Sequence, residues 1–381
     1  EMDLKSIVAT FRSVFPEGTV WLVGGDDVLL LATMEPIEQT LERVAANMKR
    51  PDVAADLASL GIVDPFSMLS LYVGGPRELA GYASGAPIFT DDRMTLEFSA
   101  PRELHHRRGG ENGATLLRLL NGGGPPAVSN ALKSAGAAEW RNRAGMMLKA
   151  DVFQRAYDDY TRALTIDPND PAALEGFVKT AIILKRAGEA VVRLKPDTTG
   201  NAPRLIALSK LLAANDQRDE AIATARAAAA QDPVKGTGQL ASLHADSADT
   251  IQLDAAVAEL RRIAPDRAET YYYAAVAAFL HGDAAAAIED AKRAIAIDPD
   301  YAPTYDLIGA AYTKAGQIDA AREAFNKSLA FDAHDSTAYE NLGVLELNAG
   351  NRALATKYFA EALWLVPDSQ TARQGLARAK P

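Results

Sequence analysis

The sequence contains no cysteine. This excludes disulfides, thiolate metal ligands and a cysteine nucleophile, and it leaves the compartment open, because reducing and oxidising surroundings both suit a cysteine-free chain. Histidine is scarce, with 5 residues in 381. His105 and His106 adjoin, but chain neighbours project in different directions, and no His, Asp or Glu spacing resembles a closed metal site. Basic residues are outnumbered, 40 Lys and Arg against 50 Asp and Glu, for a formal net charge of -10. Nucleic acid is therefore not an expected partner, since phosphate binding needs clustered Lys and Arg. The one basic cluster, His105–Arg108, is short, sits among glycines and reads as solvated linker charge. No apolar run reaches the ~18 residues of a membrane span, and EMDLKSIVATF has neither the basic leader nor the apolar stretch of a signal peptide. No membrane contact is expected of the chain itself, and its start at Glu rather than Met reads as that of a fragment or processed piece.

What is present is apolar material for a core: 48% of residues are hydrophobic, enough for two or three domains. Aligned on itself, the chain repeats at a period of 34 residues over 268–301, 302–335 and 336–369. Tyr305, Gly309, Tyr312, Ala321 and Phe325 fall at positions 4, 8, 11, 20 and 24 of their window. Tyr339, Gly343, Ala355, Phe359, Ala362 and Pro367 fall at positions 4, 8, 20, 24, 27 and 32 of the next. Small residues at positions 8 and 20 let two antiparallel helices approach, aromatic residues at 4 and 24 fill the gaps, and proline near 32 stops the second helix. The pattern resembles the tetratricopeptide repeat. Carried backwards it gives windows 137–170, 171–201, 202–235 and 236–267, of which the second and fourth are degenerate, and residues 370–381 read as a capping helix.

The resemblance implies a solenoid whose first helices line a concave face that binds a protein or peptide partner. Arg141, Tyr272, Asp306, Lys314, Glu340 and Asn348 are the expected groove residues. The Lys, Arg and Asn pattern with which some family members clamp a C-terminal carboxylate is not matched. Ala138, Arg141, Asn142 and Gly145 occupy those positions in the first window, and Pro303, Asp306, Leu307 and Ala310 in the sixth. A plainer alternative is that the array packs on a neighbouring domain or on a second copy, with Tyr271–Tyr273 as core and rim.

Ahead of the repeats, DLKSIVATFRSVFP has a helical apolar face of Leu4, Ile7, Val8, Phe11, Val14 and Phe15, ended by Pro16 and Gly18. TVWLVGGDDVLLLAT reads as a hairpin turning at Gly-Gly-Asp-Asp. EPIEQTLERVAANM, RPDVAADLASLGI and DPFSMLSLYVG read as helices, and RMTLEF as a closing strand. An isolated two-stranded sheet is marginal, so the segment calls for a partner. TFRSVFPEGTVWLVGGDDVLLLAT and the ending TDDRMTLEFSAPR resemble the C-terminal part of bacterial spermidine synthase-like (polyamine aminopropyltransferase) domains over residues 1–104, as in proteins that fuse such a domain to membrane helices and tetratricopeptide repeats. The resemblance places the nucleoside cradle and the catalytic aspartate on strands upstream of Glu1. No GxGxxG occurs, and the glycines at 24 and 25 open a second strand rather than a helix. Asp91 and Asp92 are candidate rim carboxylates, or a polar turn into the last strand with Arg93 beside it.

The expected fold class is mainly α: a C-terminal tetratricopeptide α-solenoid, a Gly/Pro-rich linker over 105–136, and a small α/β segment like the end of a Rossmann-like methyltransferase fold. The expected function is a protein-interaction scaffold, with no cofactor and no catalysis by this chain alone. The alternative is the C-terminal part of an aminopropyltransferase or methyltransferase using an S-adenosyl-type donor. The resemblance implies a membrane-anchored parent at the cytoplasmic, inner face of a bacterial membrane.

Overall fold

The computed structural model describes residues 2–24, 27–32, 43, 46–59, 62–90, 116, 118–119, 126–195, 201–332 and 335–379. The chain divides into two compact units, residues 1–193 and 194–381.

The first unit begins with α1 (Met2–Val14), β1 (Thr19–Gly24) and β2 (Asp27–Leu31). Helix α1 turns Val8 fully inward, while Val14, at the end of the expected apolar face, is exposed. β1 and β2 pair antiparallel, Val20 opposite Leu30 and Leu22 opposite Val28. Helices α2 (Pro51–Ser59) and α3 (Pro65–Leu69) follow. The stretch after α3 departs from the helical expectation: Tyr72–Gly74 is a third strand, β3, on the free edge of β1, giving the order β2-β1-β3. A fully buried strand of this length has no visible alternation, so periodicity cannot find it, yet it relieves the weakness of a lone hairpin. Helix α4 (Pro76–Tyr82) covers the sheet, and Val8, Val20, Leu22, Val73, Leu79 and Leu116 make the core. Helix α5 (Pro126–Ser134) lies within the stretch read as linker.

From residue 137 the chain is a series of helical hairpins. The first unit holds α6 (Ala137–Lys149) with α7 (Phe153–Ile166), and α8 (Pro171–Ile183) with α9 (Ala187–Leu194), the last residue of which falls past the division. Asp64 joins the N-terminal part to this series. Its Oδ1 accepts from Ser67 N at 2.7 Å to cap α3, and its Oδ2 accepts from Asn142 Nδ2 at 2.9 Å on α6. Beside it the Phe66 ring stands edge-on to Trp140, centroids 4.9 Å apart.

The second unit holds α10 (Ala202–Ala214) with α11 (Arg218–Ala229), α12 (Pro233–Asp246) with α13 (Thr250–Ile263), and α14 (Ala268–Leu280) with α15 (Ala284–Ile297). Then come α16 (Pro303–Lys314) with α17 (Ile318–Phe331), α18 (Ser336–Asn348) with α19 (Arg352–Leu365), and α20 (Gln370–Ala379). Asp170, Asn201, Asp232 and Asp335 accept backbone N–H bonds at the starts of α8, α10, α12 and α18, so each of these first helices begins on a side-chain cap.

All hairpins turn alike. Asp151, Lys185, Asp216, Ala248, Gly282, Gly316 and Gly350 each take a positive φ between 52° and 89° just after a first helix. This left-handed residue closes the helix and aims the chain back along it. It also fixes register: Ala248 places the fourth repeat two residues earlier than the expected window at 236, because only Ala230, Gln231 and Asp232 separate α11 from α12.

Packing within a hairpin is equally regular. A Cβ on Gly309 would fall 2.6 Å from the Phe325 ring, and one on Gly343 would fall 2.6 Å from Phe359. In α14/α15 the corresponding pair is Ala275 and Ala291, both fully buried. In these two hairpins the ring on the second helix takes the space of a Cβ on the first, whereas in α6/α7 Ala144 keeps its Cβ and the Tyr160 ring lies against Gly176 of α8.

Candidate partner-binding face

Six residues were expected to line a groove. Arg141 belongs to the first unit, where Nη1 donates to Asp170 Oδ2 at 2.6 Å. It ties α6 to the cap of α8.

The other five lie in the second unit, and three of them repeat that geometry. Tyr272 meets Tyr301 with ring centroids 5.6 Å apart, Asp306 faces Asp335, and Glu340 Oε1 accepts from Ser369 Oγ at 2.5 Å. In these four repeats the residue at the fifth position of the window thus reaches the residue that leads into the next hairpin. Lys314 donates through Nζ to Phe279 O at 3.4 Å and stands 5.0 Å above the Phe279 ring. Asn348 is exposed. Asp91 and Asp92 lie outside the described residues.

The structure brings further groups to the same face. Asp246 and Asp306 both lie near enough to Tyr272 to act on its hydroxyl, which burial pushes up to about 12. Glu269 and Tyr272 act in the same way on Tyr301. Glu269 lies over Gly238, where a Cβ would come 2.4 Å from Oε1, and burial raises its carboxyl against the pull of Arg267, Lys210 and Lys235. Burial also raises Asp246, opposed by Arg218.

Asp306 is the most perturbed of these groups. Burial pushes its carboxyl up to about 8, and the carboxyl of Asp335 facing it adds to the effect. Asp335 Oδ1 accepts from Thr337 N at 2.9 Å and from Ala338 N at 3.1 Å, so this acceptor is tied to the start of α18. Asp306 Oδ1 is buried with no hydrogen-bond donor among the described residues.

The sequence named Tyr272, Asp306 and Glu340 as expected groove residues and did not name Asp246, Glu269, Tyr301 or Asp335, which the structure places near Tyr272, Tyr301 or Asp306. Asp246 was hidden by the register of the fourth repeat. The others stand at the second and last positions of their windows, which a helical-face reading extended to the inter-hairpin loops would have reached. On the other flank an open recess of about 640 Å³ lies among α15, α16 and α17, with Ile295, Ile308 and Tyr312 in its wall and Lys292 and Lys327 at its edge. Among the described residues no group of His, Asp and Glu is placed to hold a metal ion, and no helix is long and apolar enough to cross a membrane.

Residues 278–343 match the tetratricopeptide repeat family. The thermophilic TPR protein TTC0263 of Thermus thermophilus is similar at 21% identity, over 47% of this chain and 98% of that one, with a TM-score of 0.42. The APC/C hetero-tetramer Cut9-Hcn1 is similar at 17% identity over 90% of this chain and 72% of that one, with a TM-score of 0.48. YrrB, described as a TPR protein with an unusual peptide-binding site, is similar at 17% identity over 49% and 96% of the two chains, with a TM-score of 0.33. No curated protein matches. Residues 278–343, from the end of α14 into α18, thus carry tetratricopeptide repeats, and the helical hairpins before and after them share one turn geometry.

Proposed function

We propose that this chain is an interaction scaffold that holds a segment of a partner protein along the first-helix face of its second unit. The observation that carries the reading is the gathering of Tyr272, Tyr301, Asp246, Glu269 and Asp306 from separate hairpins onto one face. Half-buried tyrosines offer apolar area with a polar tip at low entropic cost, which suits contact with another chain. The test is recovery of bound proteins by the wild type, by Asp306→Lys with Glu340→Lys, and by Glu289→Lys on the exposed flank of α15. Loss in the first variant alone supports the reading. The same partners bound to all three would overturn it.

The finer part of the proposal concerns the N-terminal segment, read as the end of a spermidine synthase-like domain in a longer protein at the cytoplasmic face of a membrane. The order of α1 and the antiparallel β1/β2 hairpin supports it. The described residues themselves do not fit an S-adenosyl-type donor, since β1 runs into an antiparallel strand and not into a helix whose N-terminus could cradle it. Calorimetric titration of S-adenosylmethionine into this chain and into an upstream-extended form tests this part. Binding by the extended form supports the transferase reading, and binding by neither removes it.

A further inference from the structure

The recess among α15, α16 and α17, on the other flank from the first-helix face, is space that the next repeat fills from within. Its wall is apolar, with Ile295 from α15, Ile308 and Tyr312 from α16 and Ala324 from α17, and its volume is about 640 Å³. At the same positions one repeat on, 34 residues later, Ala320, Ala324 and Ala330 give way to Leu354, Tyr358 and Trp364. There the Tyr358 ring meets Tyr339, centroids 6.3 Å apart, and packs against the cluster of Phe325, Leu342 and Leu345. The counterpart of that ring in α17 is the methyl group of Ala324, beside Tyr305, the counterpart of Tyr339.

The recess has a fixed wall and the form of a groove. Tyr305 donates its hydroxyl to Pro299 O at 2.8 Å and stacks on Phe331 with ring centroids 5.5 Å apart. A preformed wall loses little freedom when it is covered. Helix α16 packs against both α15 and α17 and forms the floor between them. Another helix laid along such a groove packs ridge into groove, with large apolar side chains a turn apart as its anchors.

Charge narrows the occupant further. The whole chain carries a formal net charge of -10, yet this recess has Lys292 on one side and Lys327 on the other, against the single acid Glu323. Lys292 Nζ stands 5.9 Å from the Tyr312 ring and Lys327 Nζ 5.2 Å from that of Phe331, and among the described residues neither ammonium pairs with a carboxylate. An apolar floor between two cationic edges complements a helix whose apolar face is bordered by Asp and Glu.

We propose that this recess is a second docking site, which takes an amphipathic helix of a partner protein, its large apolar side chains seated over Tyr305, Ile308 and Ala324 and its acidic borders against Lys292 and Lys327. The partner's side chains occupy the space that Tyr358 takes within the next repeat. The site is separate from the first-helix face and does not rest on the reading of that face.

The experiment measures fluorescence anisotropy of three labelled helical peptides of equal length on the full chain. One has an apolar face bordered by Glu, one has the same face bordered by Lys, and one has the composition of the first with its face scrambled. Ala324→Tyr copies the ring of the next repeat into the recess, and Lys292→Glu with Lys327→Glu reverses its edges at two exposed positions. The expected result is saturable binding of the Glu-bordered peptide, weakened about tenfold by Ala324→Tyr, and a preference for the Lys-bordered peptide in the double lysine variant. Asp306→Lys with Glu340→Lys, on the first-helix face, is expected to leave this binding unchanged. Circular dichroism checks that the variants fold, and should Ala324→Tyr not fold, the lysine variant decides alone. No binding, equal binding of the scrambled peptide, or an unchanged preference in the lysine variant would overturn the proposal. Self-association of the wild type that Ala324→Tyr abolishes would overturn it too, by making a second copy the occupant.

Discussion

Arg143 grips Asp159 with two hydrogen bonds, Nε to Oδ2 at 2.6 Å and Nη2 to Oδ1 at 2.7 Å, and both side chains are buried in the first hairpin. The guanidinium also lies 4.7 Å over the Trp140 ring and 5.7 Å from that of Phe66. Arg162 stands 3.7 Å from the same carboxylate, and half-buried Arg155 is brought down to about 10 by burial and by Arg143. One carboxylate therefore answers several guanidiniums. Removing one member of a buried pair leaves the other charge unanswered, at a cost of about 3–5 kcal/mol. Asp159→Ala is expected to destabilise the first unit by that amount in urea unfolding. Arg143→Met with Asp159→Leu is expected to recover part of it, and a double variant as weak as Asp159→Ala would show that the pair is not the cause.

The Asp306 carboxyl gives the second unit a distinct pH dependence. Its ordinary value of 3.8 rises to about 8 in the fold, so between those values the folded chain keeps a proton that the unfolded chain has lost. Stability then falls as pH rises through this window. Asp306→Asn is expected to match the wild type near the lower end and to exceed it above the upper end, by about 1–3 kcal/mol given ~1.4 kcal/mol per pKa unit and partial solvent screening. Urea unfolding across the range reads the difference, and an asparagine variant weaker than wild type under alkaline conditions would refute it.

Ala248 holds a φ of 52° where three other hairpins place glycine. A side chain in the left-handed region costs ~1–2 kcal/mol, part of which a glycine returns through its larger unfolded-state entropy. Ala248→Gly is expected to stabilise the second unit by about 0.5–1 kcal/mol, whereas Gly316→Ala, at φ 73°, is expected to lose about 1 kcal/mol. Thermal unfolding of the two variants checks the opposite signs.

These left-handed residues also show why some of the fold was legible and some was not. Gly282, Gly316 and Gly350 announce their turns in the sequence, but Asp151, Lys185, Asp216 and Ala248 adopt the same backbone without the residue that advertises it. The period was therefore clear in the last repeats and blurred in the fourth, where a shortened loop before Pro233 shifted the register and concealed Asp246. The mainly helical class followed from amphipathic spacing, while β3 did not, because Tyr72 and Val73 are both buried and alternate with nothing. On the proposed binding face the residues named from the sequence are those on helices. Tyr301 and Asp335 were not named, since they sit between hairpins, beyond the helical positions that were read, where the turn brings them to Tyr272 and Asp306.

The exchange of ring and Cβ between paired helices leads to a coupling that can be measured. Gly309 receives the face of Phe325, which is almost fully buried, and an added Cβ would fall within 2.6 Å of it. Gly309→Ala is expected to cost about 1–3 kcal/mol through overpacking, and Phe325→Ala about 3–5 kcal/mol through the cavity it leaves. Together they recreate the arrangement already found at Ala275 and Ala291, where two buried methyl groups replace ring and glycine. The new Cβ then enters space that the ring has vacated, so the double variant is expected to be more stable than the sum of the single losses by about 1 kcal/mol or more. A double-mutant cycle on the second unit reads that coupling directly, and strict additivity would mean that ring and glycine are matched by the backbone and not by each other.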